Sequence, residues 1–101
     1  MELQITQQDN VTTARFIGRL DTPAAQEINK DIDALVEAAG GTIILDCSEM
    51  TYISSSGLRI FLTLRKASSA KGGKIIVKSI SNDIRQVFIM TGFLNLFVIE
   101  D

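Results

Sequence analysis

The stretch Thr42–Asp46 restricts this chain more than any other: Ile43, Ile44 and Leu45 stand side by side, directly after Gly40-Gly41. A strand with one wet face alternates apolar and polar residues. Three adjacent aliphatics therefore predict a strand covered on both faces, or one set deep in a partly covered sheet. A second run of the same kind, Ile75-Ile76-Val77, is bracketed by Lys74 and Lys78 and follows Gly72-Gly73. Segments with helical spacing stand before, between and after these runs, which is the pattern of strands joined by crossover helices.

Read in order, Leu3 and Ile5 alternate with polar residues, Gln8-Asp9-Asn10 supplies a turn, and Val11–Ile17 resumes extended character, so the first two strands form a hairpin. Thr22 is expected to cap a first helix that opens on Pro23, with Ala25, Ile28, Ile32, Leu35 and Ala39 on its apolar face and Gly40-Gly41 at its end. After the strand ending at Asp46 comes a polar loop, then a second helix from about Ser56 to Ala70. Leu58, Phe61 and Leu62 form its stripe, and Gly72-Gly73 stops it. Ser81 starts a third helix carrying Ile84, Val87 and Phe88 on one face, and Leu96–Ile99 provides the last strand. The order β-β-α-β-α-β-α-β predicts an α/β fold, a mostly parallel sheet with an antiparallel hairpin at its N-terminal edge, in one domain over residues 1–101.

Composition removes several classes of function. With 10 basic and 12 acidic residues the net charge is −2, so no broad positive field is available to hold nucleic acid or an anionic membrane. Cys47 is the single cysteine and there is no histidine, which leaves no intrachain disulfide and no ordinary metal-ligand set. Neither a signal-peptide pattern nor an apolar run of membrane-spanning length occurs, so a cytoplasmic protein is expected. No cofactor is indicated, because the Gly-rich phosphate loop ending in Lys-Ser/Thr is missing.

Function concentrates where Ser54, Ser55 and Ser56 precede Gly57, beyond the carboxyl end of the central strand, where open α/β sheets place their working groups. A hydrolase nucleophile needs a held base. With no histidine and no Gly-x-Ser-x-Gly turn, nothing specifies one. Accepting a phosphoryl group asks less of the chain, because a partner kinase brings base, nucleotide and metal. A phosphate at the start of the second helix would gain about 0.3–1 kcal/mol from the helix dipole. Simpler roles compete: one serine caps the helix, another satisfies a loop amide, and Gly57 permits a tight backbone entry. Asp21 suits a helix-entry acceptor and Asp46 a loop-orienting carboxylate. Cys47 suits a small packing group, and Arg59 a solvated helix face.

Taken together, Gly18-Arg19-Leu20-Asp21-Thr22-Pro23, Ile44-Leu45-Asp46-Cys47-Ser48, Tyr52–Leu58, and Thr91-Gly92-Phe93 with Phe97-Val98-Ile99 resemble the anti-sigma factor antagonist family of small STAS-domain proteins over essentially the full chain. The resemblance implies a non-enzymatic module that binds an anti-sigma serine kinase, is switched off by serine phosphorylation, and is reset by a serine phosphatase. The family's Asp-Ser-Ser-Gly motif falls on Ser54–Gly57, which carries the phosphoacceptor role to Ser55. Asp21 and Asp46 match the family's acidic positions. One departure stands out: the acid before the phosphoacceptor is Ser54 here. The expected partner face comprises Asp21, Thr22, Tyr52, Ser54, Ser55, Ser56, Gly57 and Arg59. A STAS-type interaction scaffold in a sensing or transport-linked complex, without sigma-factor control, is the alternative.

Overall fold

The computed structural model describes residues 1–101. Strands β1 (Glu2–Gln8) and β2 (Val11–Leu20) form the antiparallel hairpin, turning through Asp9 and Asn10 with Asp9 at φ 55°. Helices α1 (Thr22–Glu27) and α2 (Asn29–Glu37), with a short 3-10 turn at Ala38–Gly40, lead into β3 (Thr42–Ile53). Then follow α3 (Ser55–Lys71), β4 (Lys74–Lys78), α4 (Asn82–Thr91), a 3-10 turn at Phe93–Asn95, and β5 (Val98–Glu100). The sheet order is β1-β2-β3-β4-β5, with β1 antiparallel and every later pairing parallel. The expected class and hairpin edge are therefore observed.

Because each parallel strand is laid down on the same side of its predecessor, right-handed crossovers put all the helices on one face of the sheet. The burial pattern shows it. Thr12, Ala14 and Phe16 of β2, Ile43, Leu45 and Cys47 of β3, and Val77 of β4 point into the helix layer and are buried. Their neighbours of opposite parity, Thr13, Ile44 and Ile76, remain half-exposed on a face that no helix covers. Of the two readings of Ile43-Ile44-Leu45, the second applies: the strand is central in a sheet covered on one face.

Three expectations need correction. The first helix is parted at Ile28, and its cap is Asp21 rather than Thr22: the Asp21 carboxylate accepts from the Ala24 amide at 3.0 Å. A carboxylate is the better cap acceptor, and it moves Thr22 and Pro23 into the first turn, where proline's missing N–H costs nothing. Second, Ser48–Ile53 is strand rather than loop. Register shifts against β2 give β3 two extra residues, so its inward residues run Cys47, Met50, Ile53, three apart instead of two. Third, the last strand begins at Val98, because Leu96 and Phe97 complete the turn that buries Phe97.

The core is organised by phenylalanines. Phe61 of α3 lies 5.4 Å from Phe16, 6.2 Å from Phe88 and 6.3 Å from Phe97 between ring centroids, and Phe93 packs 6.0 Å from Phe97 and 6.1 Å from Phe88. All five phenylalanines of the chain thus meet in one cluster joining sheet, α3, α4 and the C-terminal turn. Phe61 alone joins Phe16 of the sheet to the other rings, so truncating it should cost most. Phe61→Ala is expected to lower unfolding free energy by about 3–5 kcal/mol, read as a fall in the urea midpoint.

Cys47 sits beneath the helices, and burial, reinforced by the charge of Asp46, pushes its thiol up to about 12. Between the thiol's ordinary value of 9.0 and about 12 the unfolded chain releases the proton while the folded chain keeps it, so stability falls as pH rises through this window. Against Cys47→Ala, the wild type should lose an additional ~1.4 kcal/mol per pH unit there, measured by urea titration at stepped pH.

Candidate functional site

The carboxyl ends of β2 and β3 and the amino ends of α1 and α3 meet at one end of the sheet. Their junction is made by Ser54. Its amide donates to the Leu20 carbonyl at 2.9 Å and its hydroxyl donates to the same oxygen at 3.0 Å, while its Oγ accepts from the Gly57 amide at 3.2 Å. One buried serine thus caps α3 and ties it to the end of β2. Gly57 makes the approach possible. A Cβ there would stand 2.8 Å from Leu20 Cγ and 2.9 Å from Ile53 Cγ1.

The three serines are thereby sorted. Ser54 is consumed by the cap. Ser56 is half-buried, its Oγ 3.5 Å from Thr22 Oγ1, so the first turns of α1 and α3 touch through two hydroxyls. Ser55 is exposed, and its hydroxyl has no partner within the chain. Of the four amides that open a helix, Ser54 and Gly57 are satisfied as described, and those of Ser55 and Ser56 have no acceptor in the protein. The exposed hydroxyl therefore stands beside two free N–H groups at the positive end of a 17-residue helix.

Around this point the structure separates the remaining expected residues into two groups. Thr22, Ser56 and Arg59 line a cleft of about 280 Å³ between the α1–α2 segment and α3, together with Ala25, Gln26, Asn29, Ile60 and Thr63. Asp21 lines a different cleft, with Met1, Arg19, Pro23, Ala24 and Glu27. Tyr52 is 40% exposed and carries the Arg19 guanidinium over its ring at 4.3 Å, enough for a cation–π contact. Asp46 accepts from the Ser48 amide at 2.9 Å, the loop-orienting role its position suggested, now within a bulged strand. Ser55 belongs to neither cleft lining.

Sequence reasoning missed Arg19 and the polar lining residues Gln26, Asn29 and Thr63. Arg19 reaches Tyr52 only because β2 and β3 pair in that register, which no local pattern reveals. The others read as wet helix face. The run Gly18-Arg19-Leu20-Asp21 did mark the place, since Leu20 and Asp21 supply the carbonyl of the junction and the cap of α1. Nowhere do three His, Cys, Asp or Glu side chains cluster as metal ligands would, and no helix is long and apolar enough to cross a membrane.

Comparison with known proteins places these features in a family. BtrV of Bordetella bronchiseptica, a candidate anti-sigma factor antagonist, is 27% identical over 101 residues, all of this chain and 87% of that protein. The fold is that of a candidate anti-sigma factor antagonist from Thermotoga maritima, with TM-score 0.88 at 20% identity, covering 98% of this chain and 86% of that one. It is also that of the anti-sigma factor antagonist SpoIIAA in its unphosphorylated form, with TM-score 0.77 at 23% identity over 99% of this chain and 88% of that one. The phosphorylated form of SpoIIAA from Bacillus matches with TM-score 0.75 at 23% identity, over 97% of this chain and 90% of that one. The STAS domain model matches residues 2–101, and this chain belongs to the STAS domain family.

Proposed function

We propose that this protein is a cytoplasmic anti-sigma factor antagonist, a binding module and phosphoryl acceptor rather than an enzyme. In its unmodified state it binds an anti-sigma serine kinase through the end of the sheet that carries Asp21, Thr22, Tyr52, Ser54–Gly57 and Arg59. The kinase phosphorylates Ser55, the complex weakens, and a serine phosphatase restores the binding form. The observation that carries the reading is the division of labour among the serines: Ser54 is buried in the cap, Ser56 leans on Thr22, and Ser55 alone is exposed with a free hydroxyl. Kinship with proteins named anti-sigma factor antagonists, one of them known in phosphorylated form, supports it.

The switch needs no rearrangement of the fold. A phosphate on Ser55 brings a charge of about −1.5 to −2 to the two free amides of α3, which accept it at low cost. The cost falls on the complex. A like charge held at about 4 Å across an interface costs roughly 4 kcal/mol at an effective dielectric of 20, a factor of several hundred in affinity.

The test is phosphorylation by the cognate kinase with the modified residue located by mass spectrometry, paired with titration of the kinase. Phosphate is expected on Ser55 only, Ser55→Ala should abolish its incorporation, and the phosphorylated protein should bind at least about 100-fold more weakly. Phosphate on Ser54 or Ser56, or unchanged affinity after modification, would overturn the assignment. A set of captured partners containing no kinase and no sigma regulator would instead identify an interaction scaffold.

A further inference from the structure

The sheet face opposite the helices is a second surface, which the phosphorylation reading leaves unused. Parallel register sets its side chains in rows running across the strands. The middle row is Thr13, Ile44, Ile76 and Val98, on β2, β3, β4 and β5 in turn. Two residues further along each strand lies Arg15, Asp46, Lys78 and Glu100. Toward the hairpin turn the row is Val11, Thr42 and Lys74. Val98 is 60% exposed and Val11 37%, and Ile44 and Ile76 are half-exposed although they occupy the two central positions of their row. A sheet face left to water is ordinarily polar. Here its centre is aliphatic, and nothing in the chain covers it.

The charged row identifies the occupant. Its order is positive, negative, positive, negative, and read backwards it becomes negative, positive, negative, positive, so it is its own complement. The row is electrically neutral and offers neither a nucleic-acid backbone nor an anionic membrane a field to bind. A reversed copy of the row matches it position by position.

We propose that this face binds a second copy of the chain, sheet against sheet, about a two-fold axis that runs parallel to the strands between β3 and β4. In that arrangement Asp46 faces Lys78 of the second copy and Arg15 faces Glu100 of the second copy, each pair occurring twice. Ile44 lies over Ile76 of the second copy, and Thr13 over Val98 of the second copy. Sheets pack about 10 Å apart with strands nearly aligned, a gap that an extended lysine or arginine and a facing carboxylate span together. Arg15 already donates to Glu49 of its own chain, and its fork of donors leaves further N–H groups for the opposite carboxylate. The four strands that overlap, β2–β5, about 4.8 Å apart, and three rows about 6.7 Å apart give a footprint of roughly 400 Å² per copy, the scale of a transient interface. The dimer therefore forms by concentration and exchanges readily. Since the axis preserves strand direction, both Ser55 surfaces lie at the same end of the pair, and neither is covered.

Sedimentation velocity over a concentration series from about 10 μM to about 1 mM tests this arrangement. The wild type is expected to shift from monomer toward dimer across the series. Lys78→Asp sets carboxylate against carboxylate at two symmetric places and should weaken dimerisation at least about 100-fold, while Asp46→Lys combined with Lys78→Asp restores the opposition and should recover it. Ile44→Thr, a strand-compatible change at a half-exposed position, should weaken the dimer about tenfold or more with an unchanged circular dichroism spectrum. That spectrum also checks the charge variants, since Asp46→Lys gives up the exposed bond to the Ser48 amide. A wild type that stays monomeric throughout the series overturns the proposal. So does a natively folded Lys78→Asp or Ile44→Thr protein that dimerises as well as the wild type.

Discussion

The serine junction at the end of the sheet depends on one carbonyl oxygen. Leu20 ends β2, and its oxygen receives both the amide and the hydroxyl of Ser54, so the path of β2 and the start of α3 are fixed by the same atom. Everything nearby inherits that constraint. Asp21 follows Leu20 and caps α1, Gly57 must lack a side chain to lie against Leu20 and Ile53, and Ser55 is turned outward because its neighbour is turned in. A serine at position 54 suits this double duty. Aspartate and serine are comparable helix caps, but only the hydroxyl can also donate, and here it donates to Leu20. At position 54 one hydroxyl thus both accepts from the Gly57 amide and donates to the Leu20 carbonyl, closing the strand–helix junction.

The layout of strands and helices could be read from the chain because it is written in local chemistry. Gly40-Gly41 and Gly72-Gly73 punctuate it, and the aliphatic runs at 43–45 and 75–77 alternate with helical spacing. What could not be read is set by pairing between distant segments. The bulges in β3 come from its register against β2 and change the inward spacing from two to three, so Cys47, Met50 and Ile53 did not look like a strand. The break at Ile28 had no glycine or proline to announce it, Pro23 lying instead in the first turn. In the site, the location of the serines was legible, and the difference among them was not. Which hydroxyl faces the interior depends on where Leu20 ends.

The sidedness of the sheet has a related logic. Laying each strand beside its predecessor in one direction needs only right-handed crossovers of the commonest kind, but it gathers the helices on one face and leaves the other bare. The covered face then carries nearly the whole core, with the phenylalanine cluster bridging sheet and helices. Stability therefore makes no demand on Ile44 and Ile76 beyond strand propensity, which threonine would meet as well. Their aliphatic character at the centre of the bare face calls for some other occupant of that surface. This is why an unbroken apolar triplet appears in a stretch, Thr42–Cys47, whose burial alternates.

The two surfaces are also mechanically separate. The serine junction lies past the carboxyl ends of β2 and β3 and is held by bonds at the rim of the helix layer, whereas the bare face presents side chains perpendicular to the sheet on the opposite side. Charge placed on Ser55 meets free amides and solvent, and no residue of the Arg15–Glu100 row bonds to a member of the junction. Binding at one surface therefore has no differential contact through which to bias the other, and without differential contact there is no coupling free energy. In a domain of 101 residues the end of the sheet and its bare face are therefore two separate surfaces, with the helix layer as their only common support.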